Sequence, residues 1–192
     1  MGGVPDSPRL GDTGGGGVIR KGDLNDLDAI EKIFTSVQEY EETHEAYTVY
    51  EKGVYPNREQ TEAAIKAGTL FVLEENGDIP GYIVINHDQF EEYYDVDWRV
   101  DCSDEEVLVV HLITVRKDVM QKGCGERMLR FALEEGRKRG CRAVRLDTTS
   151  KNVPSTSLYR KVGFYIAGKG PMKVGRQVYD PRHLFLEYDL EV

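Results

Sequence analysis

Apolar and polar positions alternate along this chain in two periods. Leu27, Ile30, Phe34 and Val37 recur at helical spacing behind Asp23 and Asn25, either of which can cap a helix, and Val18 to Arg20 reads as a short strand before them. Tyr47 to Asn57 is aromatic and turn-rich and leads into a second helix over Glu59 to Lys66, which Gly68 ends. Leu70 to Glu74 and Tyr82 to Asn86 flank Glu75-Asn76-Gly77-Asp78, a hairpin signal because Asn-Gly accepts the positive φ angles of a type I′ turn. The unbroken apolar run Val107 to Val115 is long enough for a central strand covered on both faces. After Gly125, Met128, Leu129, Ala132 and Leu133 form one side of a helix that Gly140 stops. Glu126/Arg130, Glu134/Lys138 and Glu135/Arg139 are its expected solvent-side pairs. Ala143 to Asp147 is the next strand, and the right-handed crossover makes it parallel to 107–115. Residues 155–162 follow Pro154 as a short helix, and Phe164 to Ala167 with Leu184 to Tyr188 supply the last strands. The predicted class is α/β: a mixed, mostly antiparallel sheet with a central parallel βαβ crossover, flanked by helices.

With 192 residues and 40% apolar content, one domain with a full core is expected over 18–192. Met1 to Gly17, with Gly11, Gly14 to Gly17, Pro5 and Pro8 and no apolar h-region, reads as a flexible leader and not as a signal peptide. No stretch approaches the length of apolar sequence that a membrane helix needs. Cys102, Cys124 and Cys141 form neither a CxxC pair nor a set with histidines at ligand spacing, so no disulfide framework and no metal site are expected, and a reducing cytoplasm fits.

The net charge of −9 is unevenly spread. Residues 88–106 carry Asp88, Glu91, Glu92, Asp95, Asp97, Asp101, Asp104, Glu105 and Glu106 against Arg99 alone, or −8; residues 116–145 carry ten bases and four acids, or +6. Overall acidity argues against nucleic acid as partner, whereas a basic half beside an acidic one suits an anionic ligand next to a cationic one. A plain solvated face explains the acidic run equally well. The strand 107–115 feeds Gln121-Lys122-Gly123-Cys124-Gly125, a glycine turn at a helix start, whose unpaired N–H groups and positive dipole end suit a phosphate. Met128 stands where a dinucleotide fingerprint needs a third glycine, and no Gly-Lys-Ser/Thr follows, so neither that fingerprint nor a P-loop is present. A bare turn without a ligand is the competing reading.

These residues resemble the GNAT superfamily of N-acetyltransferases, over about residues 18–190. Gly123-Cys124-Gly125 match the second half of that family's pyrophosphate loop, with Met120 where Gln or Arg is usual and Gln121 one place late. Asn152-x-x-Ser155-x-x-Leu158-Tyr159-x-x-x-Gly163-Phe164 follows its second motif at every position. The resemblance implies acetyl-CoA (coenzyme A) as co-substrate, no metal, and an amine acceptor attacked directly in a ternary complex. It places pantetheine along Ile113, Thr114 and Val115, and the pyrophosphate on Met120, Gln121, Lys122, Gly123, Cys124, Gly125 and Glu126. Asn152 and Ser155 would serve the pantetheine side, and Lys161 or Arg160 a nucleotide phosphate, although an exposed-face role suits those two equally.

Acyl transfer from a thioester to an amine needs a neutral amine, a polarised carbonyl and a stabilised thiolate. A lysine-like amine is neutral about once in two thousand molecules at pH 7, a cost of about 4.6 kcal/mol, so its proton needs a route out. His111, on the central strand, is the candidate base, with water relayed to Glu105 or Glu106 as the rival and a plain core histidine as the alternative. Tyr159 is the expected donor to the departing sulfur. Tyr55, Trp98 and Glu105 are expected at the acceptor pocket, where aromatics and carboxylates favour a small cationic amine. An acyl-CoA-binding sensor or interaction module without turnover is the alternative function. The oligomeric state stays open, a homodimer among the options.

Overall fold

The computed structural model describes residues 10–12, 17–120, 122–175 and 178–191. Among the described residues eight strands form one sheet: β1 (Leu10–Asp12), β2 (Gly17–Lys21), β3 (Leu70–Glu75), β4 (Asp78–Asn86), β5 (Val107–Val115), β6 (Ala143–Thr149), β7 (Tyr165–Val174) and β8 (Val178–Asp189). Their spatial order is β1-β2-β3-β4-β5-β6-β8-β7, and β5 and β6 are its parallel pair. The helices are α1 (Leu27–Thr43), α2 (Arg58–Lys66), α3 (Cys124–Lys138) and α4 (Val153–Val162).

Local chemistry sets the element ends. Asp23 accepts from the Asn25 N–H and closes a capping box on a 3-10 turn, Leu24–Asp26, that precedes α1. Asn57 does the same for α2 with Gln60. Asn76 and Gly77 both have positive φ (51° and 78°), as a type I′ hairpin turn between β3 and β4 requires. Asn152 caps α4 by accepting from the Ser155 N–H.

α3 crosses one face of the sheet between β5 and β6, and with α4 it buries a core of Leu108, Val110, Met128, Leu129, Leu133, Val144 and Leu146. α1 and α2 cover the other face over Ile30, Ile33, Leu70, Val72 and Tyr82. A third cluster on that second face joins Val107 and Val109 to Tyr55, Tyr93, Met172 and Phe185.

Three details depart from the sequence reading. β1 lies inside the segment read as a leader and pairs with β2, since a strand ladder needs only backbone groups. β7 and β8 are far longer than expected, because an antiparallel hairpin at the sheet edge propagates through Gly168, Gly170 and Pro171 without a clean apolar alternation. Glu135 is buried on α3 and pairs with both Lys138 and Arg139, so it is not on the solvent side.

Candidate active site

The cleft begins where the central strands part. β5 and β6 pair only from Val107↔Ala143 to Val110↔Leu146, although β5 continues to Val115 and β6 to Thr149. The cause is a bulge: consecutive Val84 and Ile85 of β4 face Leu112 and Val110, which leaves His111 as an extra residue on β5. The bulge shifts the alternation of β5, so that Leu108 and Val110 pack on the α3 face and so do Ile113 and Val115. Beyond the fork, residues 112–115 pair with β4 on one edge only among the described residues. That leaves a strand edge able to hydrogen-bond an extended ligand.

At the far end of β5 lies the glycine turn. Gly123 is the N-cap of α3 with φ +83°, a conformation that excludes most side chains, and nothing lies within 4 Å of where its Cβ would stand. The first-turn N–H groups of α3 have no carbonyl one turn back, and among the described residues the N-cap, Gly123, offers no side chain to cover them. Gly125 is needed for a different reason: a Cβ there would meet Leu158 Cδ2 at 3.0 Å, so its absence lets α3 and α4 approach. Glu126, which would oppose an anion, is ion-paired at 2.7 Å to both Arg130 and Lys161. Lys122 is exposed, Met120 borders the cleft, and Cys124 is buried with its thiol pKa pushed up by desolvation. Gln121 lies outside the described residues. An open cradle at Gly123 and a one-sided strand edge together fit a pyrophosphate and its pantetheine arm.

α4 brings Asn152, Ser155 and Tyr159 to the same cleft. Tyr159 is buried, its ring 6.2 Å from that of Phe164. Desolvation, with the nearby Tyr50 and the Asp147 charge, raises the phenol pKa, against a hydrogen bond to Ser155. The hydroxyl therefore stays protonated, as a donor.

The other wall comes from the α1–α2 connection and β8. Glu41 accepts from the N–H groups of Tyr47 and Thr48 and from the Thr48 hydroxyl (2.6 Å), which fixes the start of the connecting loop. Tyr50 bonds Thr114 Oγ1 at 2.7 Å and its pKa is pushed up to about 12 by desolvation. Tyr55 lines the cleft, its phenol raised likewise by burial. His111 also borders it, with Nε2 2.6 Å from Asn86 Oδ1. That oxygen already accepts from the Asp88 N–H, while Asn86 Nδ2 donates to the Asp88 carboxylate. Oδ1 is thus an acceptor, and the proton of the neutral imidazole sits on Nε2. The T-shaped contact with Phe90 fixes the ring plane.

A buried cluster not foreseen from the sequence completes the cleft. His183 bonds Asp147 through Nε2 at 2.7 Å and Asp180 through Nδ1 at 2.6 Å, and Tyr93 donates to the second Asp147 oxygen at 2.7 Å. Burial disfavours a charged ring, but the two carboxylates outweigh it and the His183 pKa is raised. Burial likewise opposes the Asp180 charge, yet bonds from His183, the Arg182 N–H and Thr149 hold its pKa below the usual carboxylate range. The available signal was three polar residues, Asp147, Asp180 and His183, set into strands.

Two residues expected at the acceptor pocket are placed elsewhere. Trp98 donates Nε1–H to the Tyr93 carbonyl and stacks with Arg145, 4.3 Å from its ring centre, beneath the 88–102 segment. Glu105 is exposed in a 3-10 turn, Asp104–Glu106, before the start of β5, and Glu106 caps that turn at Ser103. From Val107, where β5 begins after that turn, to His111 the strand runs roughly 13 Å, too far for one water to bridge. The buried pair Arg145–Glu187 (2.9 Å) tethers the acidic segment, with Glu187 also accepting from the N–H groups of Arg99 and Val100 and from Tyr165.

The family model of the acetyltransferase (GNAT) family matches residues 27–164. An uncharacterized N-acetyltransferase of Methanocaldococcus jannaschii is 30% identical over 95 residues, which are 50% of this chain and 38% of the relative. The chain thus spans well under half of that curated relative's length. A GNAT-family acetyltransferase structure from Streptococcus agalactiae superposes with a TM-score of 0.69 at 26% identity, covering 91% of this chain and 96% of the other. A Salmonella typhimurium structure containing its cofactor acetyl-CoA shares the fold, with a TM-score of 0.64 at 22% identity over 90% of this chain and 92% of its own. Bulged β5 and the α4 tyrosine line one cleft within the matched span, with Met120, just before the glycine turn, at its border, and the chain belongs to the acetyltransferase (GNAT) family.

Proposed function

We propose that residues 18–192 form an acetyl-CoA-dependent N-acetyltransferase that acts on a primary amine, small and cationic, by direct attack in a ternary complex. The fork after Val110↔Leu146 carries this reading, because the strand edge of 113–115 and Tyr159 line one cleft, and Met120, which lines it too, leads into the Gly123 turn. Pantetheine pairs with the open edge of 113–115 and with Asn152, and the pyrophosphate sits on the N–H groups at 122–126. Acetyl-CoA supplies an activated thioester.

The neutral amine attacks the carbonyl carbon, the C–N bond forms, and the C–S bond breaks. His111 takes the amine proton at Nδ1, the basic atom of the tautomer that Asn86 selects. Tyr159 donates a hydrogen bond to the leaving sulfur. Even at ordinary values, ~10 for a phenol against ~8.5 for a thiol, full proton transfer is uphill by about 2 kcal/mol, and burial of Tyr159 makes it more so. Its role is to stabilise thiolate character.

The test is release of free thiol from acetyl-CoA with n-butylamine, putrescine, spermidine and glycinamide in turn. Amine-dependent release with a matching N-acetyl product is expected. Tight acetyl-CoA binding without release from any of the four refutes the enzyme and leaves a sensor.

A further inference from the structure

At the vertex of the fork two side chains face each other across the parting strands. Val110 and Leu146 are the last parallel pair and both pack on the α3 face, so the next residues, His111 and Asp147, turn together to the opposite face. There they stand on the two arms of the cleft, with Tyr159 reaching it from α4. We infer that Asp147 is the residue that receives the ammonium group of the acceptor, with His183 and Asp180 behind it as positioning residues. The inference rests on the N-acetyltransferase reading and names the anchor which that reading lacks.

Two carboxylates line the cleft among the described residues, Glu41 and Asp147. Glu41 is committed to the loop, its two oxygens accepting three hydrogen bonds from Tyr47 and Thr48. Asp147 accepts two, one from Tyr93 and one from His183, and a carboxylate has about four lone-pair sites, so it retains capacity for a ligand. Its side chain is only 8% exposed, which makes an unscreened contact with a cation strong. Both nitrogens of His183 face carboxylate oxygens, so the ring is doubly donating when protonated and the Asp147–His183–Asp180 set carries a net charge of −1. A single negative charge in a cleft matches a single ammonium. Among the described residues one lysine or arginine lines the cleft, Lys117, and its ammonium lies 3.6 Å over the Tyr40 ring, engaged there and not with Asp147. An amine held at Asp147 lies in the cleft that His111, the base, and Tyr159, the sulfur donor, also line.

The experiment compares the parent protein and Asp147→Asn with the best acceptor of the amine panel. In the variant, acceptor KM should rise by roughly 30-fold or more, as for loss of one partner from a buried charge contact. Acetyl-CoA affinity by calorimetry should stay unchanged, a readout that a merely unfolded variant would lose. Independently of any variant, N,N-dimethylbutylamine, a cation that cannot yield a stable amide, should compete with the acceptor in the parent at least about 10-fold more strongly than n-butanol. His183→Gln should shift the pH dependence of acceptor KM, which a packing role would leave in place. Turnover with unchanged acceptor KM in Asp147→Asn, or equal inhibition by the amine and the alcohol, overturns the assignment. Absence of turnover by the parent with every amine overturns the N-acetyltransferase reading instead.

Discussion

Removing one atom, the hydroxyl oxygen of Tyr159, separates its chemical role from its structural one. In Tyr159→Phe the ring keeps its burial and its contact with Phe164, and only the bond to Ser155 and the donor to sulfur are lost. A single neutral hydrogen bond contributes about 0.5–1.5 kcal/mol to stability, and a chain of this size shifts Tm by about 2–4 °C per kcal/mol, so Tm should fall by at most about 6 °C. A positioned donor to developing negative charge contributes about 2.7–4 kcal/mol to the barrier, so kcat should fall by about 10² to 10³. The calorimetric Kd for acetyl-CoA should hardly move, because the ring still fills its place. Free-thiol release under saturating acetyl-CoA gives kcat. Since burial raises the phenol pKa, the parent should show no alkaline fall in kcat/KM from Tyr159 up to about pH 10. Undiminished kcat in the Phe variant refutes the donor assignment, and a loss of acetyl-CoA binding equal to the loss of rate makes Tyr159 a packing residue.

Four further outcomes are expected. Gly123→Val forces a β-branched residue to φ +83° and crowds the pyrophosphate cradle; acetyl-CoA affinity should drop at least tenfold, whereas Gly123→Ala should show mainly the strain of about 1–2 kcal/mol, both read by calorimetry and urea unfolding. His111→Ala should slow kcat/KM by about 10² to 10⁴ and remove its acid limb, and a pH profile of unchanged shape refutes the base assignment. His183 has a folded pKa above its unfolded value of ~6.5, so its contribution to stability is complete below that pH and is lost as pH rises through the folded value; urea midpoints should fall over this window in the parent and not in His183→Gln. Glu187→Gln leaves Arg145 buried without a counter-charge and should cost about 3–5 kcal/mol by urea unfolding, with loosening of residues 88–102 seen as faster hydrogen exchange.

Short-range pattern determined much of this protein. The 3.6-residue period of α1 and α3, the Asn76-Gly77 turn, the capping residues Asp23, Asn57 and Asn152, and the apolar run of β5 are local features, and each element stands where its own residues put it. The glycine turn and Tyr159 were legible for the same reason: a positive φ at Gly123 and a helix start are properties of a few consecutive residues. Pairing across the sheet was not legible. That His111 is a bulge depends on which residues of β4 face β5, and that the central strands part after Val110 follows from the bulge. Trp98 and Glu105 looked like acceptor ligands by composition, yet the Arg145–Glu187 pair draws the segment carrying Trp98 over the sheet, and Glu105 precedes the start of β5, before the fork. The Asp147–His183–Asp180 cluster joins residues up to 36 positions apart, through the β6–β8 ladder that sets His183 opposite Thr149. A sequence states which charges exist; only the register of distant strands decides which of them meet in a place that water does not screen.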